Sequence, residues 1–151
     1  MGRLSRLHGR KVYVDANIFI YALNGFPAYA TTLKELFEGI ESGAFSACTS
    51  ELTLAELLII PFRHGNVEEE GRCRMILRPR PCLSLLPVTM DVLESMARLR
   101  GALPAIRTPD AIHAATAQLA KCDVFLTNDR RLKAVTGLQT VLLSEVVTRK
   151  P

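Results

Sequence analysis

Five short apolar runs alternate along the chain with longer segments in which apolar side chains return every three or four positions. Residues 11–14 (KVYV), followed by Ile18, Phe19 and Ile20, predict a buried strand running into a turn and a helix, with Asp15 at the strand's exit. Leu33, Leu36, Phe37 and Ile40 recur at helical spacing, and Gly43 stands where a helix would be capped. Residues 45–49 predict a second strand, after which Ser50 can cap a helix carrying Leu54, Ala55, Leu57, Leu58 and Ile59, with Pro61 expected to bend or end it. Residues 66–78 predict a charged helix, with Glu68, Glu69 and Glu70 at its start and Arg72, Arg74 and Arg78 further on, an order that suits the helix dipole. A third strand is expected over 83–88 and a helix over 90–100. A further helix should be capped by Thr108 and run through Pro109 to about Lys121, and the last strands fall at 124–127 and 140–143. Strands alternating with helices make an α/β fold of three layers, a mostly parallel central sheet flanked by helices, in which ligands bind beyond the carboxyl ends of the strands.

A length of 151 residues, 48% hydrophobic and 23% charged, fits one core, so residues 11–151 are expected as a single domain. Residues 1–10 stand before it as a basic N-terminal extension, read as an arm, a tag or a disordered piece. No run approaches the roughly 20 apolar residues needed to cross a bilayer. Asp15 and Asn17 interrupt what would otherwise resemble a secretory leader, and Arg6 replaces the Ser or Thr that myristoylation requires. The expectation is a soluble, cytoplasmic protein with no membrane partner. Cys48, Cys73, Cys82 and Cys122 show no C-x-x-C pairing and read as core thiols, and His8, His64 and His113 are too scattered to complete a zinc motif with them. Of the net charge of +4, the arm's Arg3, Arg6 and Arg10 with Lys11 account for four positive charges, leaving the remainder balanced. With no Trp and 6% aromatics, no base-stacking platform is visible.

Among fifteen acids, Asp15, Glu56, Asp110 and Asp129 stand where indifferent surface charge rarely falls. Glu56 interrupts LTLAELLII, and burying an unpaired carboxylate costs several kcal/mol, so it must be protonated, paired or bound to a metal. A structural explanation exists for each: an ion pair of Glu56 with Arg63 or a wet helix edge, a turn at Asp15, a cap or turn at Asp129, and a favourable helix-dipole position for Asp110. Asp15 and Asp129 both follow apolar strands directly, however, and in a parallel sheet with those strands adjacent they converge at one edge. Four carboxylates in one pocket repel and raise one another's pKa unless a cation neutralises them, and oxygen ligands select Mg²⁺ or Mn²⁺ over zinc. Such ions support phosphodiester hydrolysis.

The segments VDANIFIYAL, TSELTLAELL and TPDAIHAATAQLAKCDVFLTNDRRL, in that order and spacing, resemble the PIN-domain nucleases over residues 11 to 143, and more narrowly the VapC-type toxins of prokaryotic toxin–antitoxin pairs. The resemblance implies that Asp15, Glu56, Asp110 and Asp129 are the metal-binding and catalytic acids of an endoribonuclease using Mg²⁺ or Mn²⁺ on single-stranded RNA, with Glu56 or Asp110 assisting as base. Asn17, Thr127 and Asn128 match positions that would orient a carboxylate or a bound water. Some relatives carry one more acid after the fourth motif, where this chain has Arg130-Arg131, so one firmly held ion is expected. Arg107, Arg130 and Arg131 flank the acids and could meet RNA phosphates, or be ordinary surface arginines. His113 shares the helix face of Asp110 and reads as a packed or solvated histidine. A cognate antitoxin and a homodimer are further implied. The competing readings are a PIN-like module that binds RNA or protein without turnover, and an RNA-maturation nuclease. An aspartyl phosphatase would prefer D-x-D where this chain has Asp15-Ala16-Asn17, and the G-x-G-x-x-G of a dinucleotide-binding domain is missing.

Overall fold

The structure, a computed structural model, describes residues 3–147; the first two residues of the expected extension and the last four of the expected domain lie outside the described residues. Five parallel strands, β1 (Lys11–Val14), β2 (Ser46–Ser50), β3 (Leu83–Leu86), β4 (Val124–Thr127) and β5 (Thr140–Leu142), form one sheet in the order β3-β2-β1-β4-β5. α1 (Ala16–Asn24), α2 (Ala30–Ser42), α3 (Glu51–His64) and α4 (Val67–Ile76) pack with Val12, Val14, Val124 and Leu126 on one face. α5 (Met90–Ala102) and α6 (Thr108–Leu119) cover Tyr13, Cys48 and Phe125 on the other, and a short α7 (Leu143–Val146) follows β5. The three-layer, mostly parallel α/β architecture is therefore as expected, with every strand pairing parallel. No helix among the described residues is long and apolar enough to cross a membrane.

The order of the strands places the site. From β1 the chain steps outward through β2 to β3, then returns across the opposite face to β4 and continues to β5. The connections after β1 and β4 thus leave in opposite directions, which opens a crevice between their carboxyl ends. Asp15 ends β1 and caps α1, its carboxylate accepting from the Ala16 amide, while Asp129 follows β4 by two residues.

Two local expectations are corrected. Pro61 does not end α3, which continues to His64. Proline removes the N–H that would bond the Leu57 carbonyl one turn back, and the Cys73 thiol of α4 donates to that carbonyl instead, at 3.5 Å. Thr108 does not cap α6: the cap position is Arg107, Thr108 is the first helical residue, and its hydroxyl accepts from Arg100 at 3.1 Å. α6 also ends before Lys121, which takes a left-handed conformation at φ 55°. Before β1, residues Arg3–Leu7 form a 3-10 turn that buries Leu4 and Leu7 against the α1–α4 side of the sheet. The four cysteines are free thiols; Cys48 and Cys73 are buried, and Cys48 Sγ lies 3.3 Å from Cys122 Sγ.

Candidate active site

Asp15 is the innermost of the acids, 3% exposed. Its carboxylate accepts from the Ala16 amide at 2.8 Å, the Thr127 hydroxyl at 2.7 Å and the Asn17 amide at 3.3 Å. Burial pushes its pKa up, opposed by the His113 charge and these hydrogen bonds and reinforced by the negative charge of Asp110. Asn17 also donates to the Thr127 hydroxyl at 3.1 Å, which in turn accepts from the Asp129 amide at 3.1 Å. Thr127 thereby ties the ends of β1 and β4 together. The Asn17 Oδ1 is buried and has no hydrogen-bond partner.

Glu56 reaches the same crevice from α3. Its Oε1 accepts from His113 Nε2 at 2.5 Å, and that nitrogen lies 3.8 Å from Asp15 Oδ1. On the far side of the ring, His113 Nδ1 and the Tyr13 hydroxyl share a 2.6 Å hydrogen bond. His113 is 1% exposed, and burial alone would hold it neutral, but the hydrogen bond to Glu56 and the charges of Asp15 and Glu56 outweigh burial and raise its pKa. Sequence reasoning set this residue aside. The signal that identifies it is its position three residues after Asp110, on the helix face turned toward the sheet, where a polar ring needs partners at both nitrogens.

Asp110, in the first turn of α6, and Asp129 are partly exposed and paired with arginines. Arg131 clamps Asp129 with Nε at 3.0 Å from Oδ1 and Nη2 at 2.6 Å from Oδ2, and the same Nη2 lies 3.9 Å from Asp110. This contact holds the Asp129 pKa below the usual carboxylate range. Arg107 reaches Asp110 at 3.3 Å, and Arg130 is exposed. Asn128 turns away from the acids: its amide donates to the Tyr29 hydroxyl at 3.1 Å, and its carbonyl accepts from the Ser144 amide at 3.1 Å.

The four acids thus stand in two pairs, Asp15 and Glu56 on His113 and Asp110 and Asp129 on Arg131, with Thr127 bonded to both Asp15 and the Asp129 amide; among the described residues no three His, Cys, Asp or Glu side chains form a group that could hold a metal ion. Their chemistry nonetheless suits a hard divalent cation. The donors are carboxylate oxygens, a guanidinium stands in the place of positive charge between Asp110 and Asp129, and the orphaned Asn17 Oδ1 is an acceptor that a water in the ion's shell would satisfy. Beside the acids, Ile20, Leu23, Leu57, Ile60 and Pro61 line a groove of about 170 Å³ between α1, α3 and α4, with Glu56 at its rim.

The family model for the PIN domain matches residues 12–138. Solved structures share the fold: the VapBC2 complex of Rickettsia felis bound to a promoter DNA fragment (TM-score 0.68, 20% identity, 87% of this chain and 98% of that one) and a toxin–antitoxin complex from Klebsiella pneumoniae (0.65, 23%, 87% and 97%). A third is a sarcin–ricin-loop-cleaving VapC toxin of Mycobacterium tuberculosis (0.62, 19%, 76% and 86%). A comparison with curated proteins gives no match.

Proposed function

The chain belongs to the PIN-domain family, and from that premise we propose that it is a divalent-metal-dependent endoribonuclease acting on single-stranded RNA, the toxin of a toxin–antitoxin pair. The observation that supports the reading is the pairing of Asp15 with Glu56 through His113 and of Asp110 with Asp129 through Arg131, beside the carboxyl ends of β1 and β4. These four side chains would hold Mg²⁺ or Mn²⁺. When bound, the ion polarises the phosphodiester and lowers the pKa of the attacking water.

The protein's own groups divide the remaining work. Thr127, Asn17 and the Ala16 amide fix Asp15 in one orientation. His113 holds Glu56 by one oxygen, leaving the other carboxylate oxygen to accept a proton. Arg131 and Arg107, when they release Asp129 and Asp110, meet the substrate's phosphates with planar guanidinium groups; Arg130 is an exposed third cation. Structural neighbours that are toxin–antitoxin complexes support an antitoxin partner. The apolar groove beside Glu56 is the surface on which such a partner would lay an apolar helix and bring a basic side chain to the acids. A homodimer working in the cytoplasm completes the proposal.

Cleavage of a mixed single-stranded RNA pool by wild type and Asp15→Asn, with Mg²⁺ or Mn²⁺ against EDTA, is the test. Wild type should cut only with metal, and Asp15→Asn should be slower by at least about 100-fold, beyond the loss expected for a residue that only supports a ligand. Metal-dependent binding without cleavage by wild type would replace this reading with that of a binding module.

A further inference from the structure

Of the chain's nine aromatic residues, six Phe and three Tyr, three assemble at the margin of the α1–α4 core, where Tyr21 and Tyr29 pack against it. Tyr21 near the end of α1, Phe26 just after it and Tyr29 just before α2 form a closed triangle of rings. Their centroids are 5.4 Å apart for Tyr21–Phe26, 5.4 Å for Tyr21–Tyr29 and 5.6 Å for Phe26–Tyr29, the last pair stacked at 20°. The turn that builds the triangle is fixed by backbone. Gly25 takes a left-handed conformation at φ 61°, the Phe26 amide donates to the Tyr21 carbonyl at 3.2 Å, and the Tyr29 amide donates to the Phe26 carbonyl at 3.1 Å. Phe26 is 45% exposed, whereas Phe19 and Phe125 are fully buried.

A single exposed Phe needs no explanation. This one differs because its supporting rings are tied to the acid crevice. Both tyrosine hydroxyls accept from the amide of Asn128, at 3.1 Å for Tyr29 and 3.5 Å for Tyr21. Asn128 lies between Thr127, which bonds Asp15, and Asp129. The segment 127–129 thus carries the threonine that bonds Asp15, the asparagine that bonds the triangle and the acid Asp129 at consecutive positions, which sets the triangle beside the acids along the chain. The α3 groove is lined mainly by aliphatic residues, whereas the triangle is a rigid π-surface edged by two phenol oxygens and an amide. Unpaired bases of single-stranded RNA stack on such surfaces.

We propose that Phe26, backed by Tyr21 and Tyr29, is a stacking site for one unpaired base of the RNA, next to the nucleotide whose phosphate meets the acids. The proposal rests on the ribonuclease reading and adds the substrate's contact beyond the reacting phosphate. Because the Asn128 amide and carbonyl are already engaged by the tyrosines and Ser144, the site grips a base by its face and discriminates little among the four.

The absence of Trp from the chain makes the test clean, since Phe26→Trp introduces the one indole fluorophore. In the full-length Asp15→Asn background, which should bind without cutting, single-stranded oligoribonucleotides and an abasic oligomer of equal length are titrated while Trp emission and RNA anisotropy are followed together. Base-bearing oligomers should change the emission and the abasic oligomer should not. Phe26→Ala should weaken binding about ten-fold, with Phe26→Trp binding as Phe does. RNA bound with emission unmoved, together with unchanged affinity for Phe26→Ala, overturns the stacking site and leaves the nuclease reading standing. An emission change that follows protein concentration without RNA assigns the face to a second copy and also overturns it. Failure of the wild type to bind or cut any RNA removes the nuclease reading and this site with it.

Discussion

The inner and outer halves of the acid crevice meet the same electrostatic problem differently. The inner acids, Asp15 and Glu56, are held by fixed donors: a threonine hydroxyl, an asparagine amide, a backbone amide and a buried imidazole. The outer acids, Asp110 and Asp129, are held by flexible arginine side chains more than half exposed. Fixed buried donors orient a carboxylate and cannot leave it. A surface guanidinium neutralises a carboxylate but can be displaced, because an exposed pair contributes only about 0–1 kcal/mol. On the proposed metal-dependent reading, the inner half would position its carboxylates and the outer half is where an incoming cation would displace a guanidinium.

The comparison breaks most visibly at His113. Replacing it with Phe preserves bulk but removes one partner of the Tyr13 hydroxyl, which keeps Thr49 and the Ser50 backbone, and frees Glu56. Cleavage should fall about 10- to 100-fold, and urea unfolding should report a loss of about 0.5–1.5 kcal/mol from the missing hydrogen bond. A His113→Gln protein, which can still donate to Glu56, should recover cleavage more than stability. Wild-type cleavage by His113→Phe would mean the ring is only packing.

Next in size are opposite pH slopes in EDTA. The folded-state pKa of Asp15 is raised, so the folded protein holds that proton longer than the unfolded chain does, and its ionisation costs stability as pH rises above the ordinary carboxylate value. That of Asp129 is lowered, so its contribution is present above the ordinary value and lost as pH falls through the folded one. Asp15→Asn should therefore raise the neutral-pH melting temperature by about 2–4 °C, the effect of roughly 1 kcal/mol. Asp129→Asn should leave it level or slightly lower. Matching shifts for the two substitutions would erase the distinction between the halves.

The smallest effect belongs to Arg131→Ala. Removing a displaceable cation should tighten Mn²⁺ binding in calorimetric titration by up to about five-fold, with unfolding changed by less than about 0.5 kcal/mol. Weaker Mn²⁺ binding would show that Arg131 supports the acids rather than competing for them.

The strands and most helices were legible because burial imposes a pattern: the runs 12–14 and 124–126 are buried and apolar at consecutive positions, as a strand covered on both faces must be. Asp15 and Asp129 stood out as acids that follow such runs, and Glu56 as an acid inside an apolar helix. Pro61 was misread because the residue that compensates for it, Cys73, lies on another helix. Thr108 was misread because the proline after it takes the second helical position rather than the first, and the Thr108 hydroxyl instead accepts from Arg100. His113 and the aromatic triangle escaped for a deeper reason. Their meaning lies in contacts such as Tyr13–His113, 100 positions apart, and Tyr29–Asn128, 99 apart, which no local pattern encodes.

The bond from Thr127 to Asp15 spans 112 positions of sequence. A ribosome adding about 5–20 residues per second needs roughly 6–20 s to travel between the two. Throughout that interval the nascent chain holds Asp15, and later Glu56, but neither the completed strand that orients Asp15 nor the acid beyond it. For a protein proposed to cut RNA, whose own template and ribosome are the nearest RNA in reach, the central strand is made first and its partner late. The chain is thereby unarmed for most of its own synthesis.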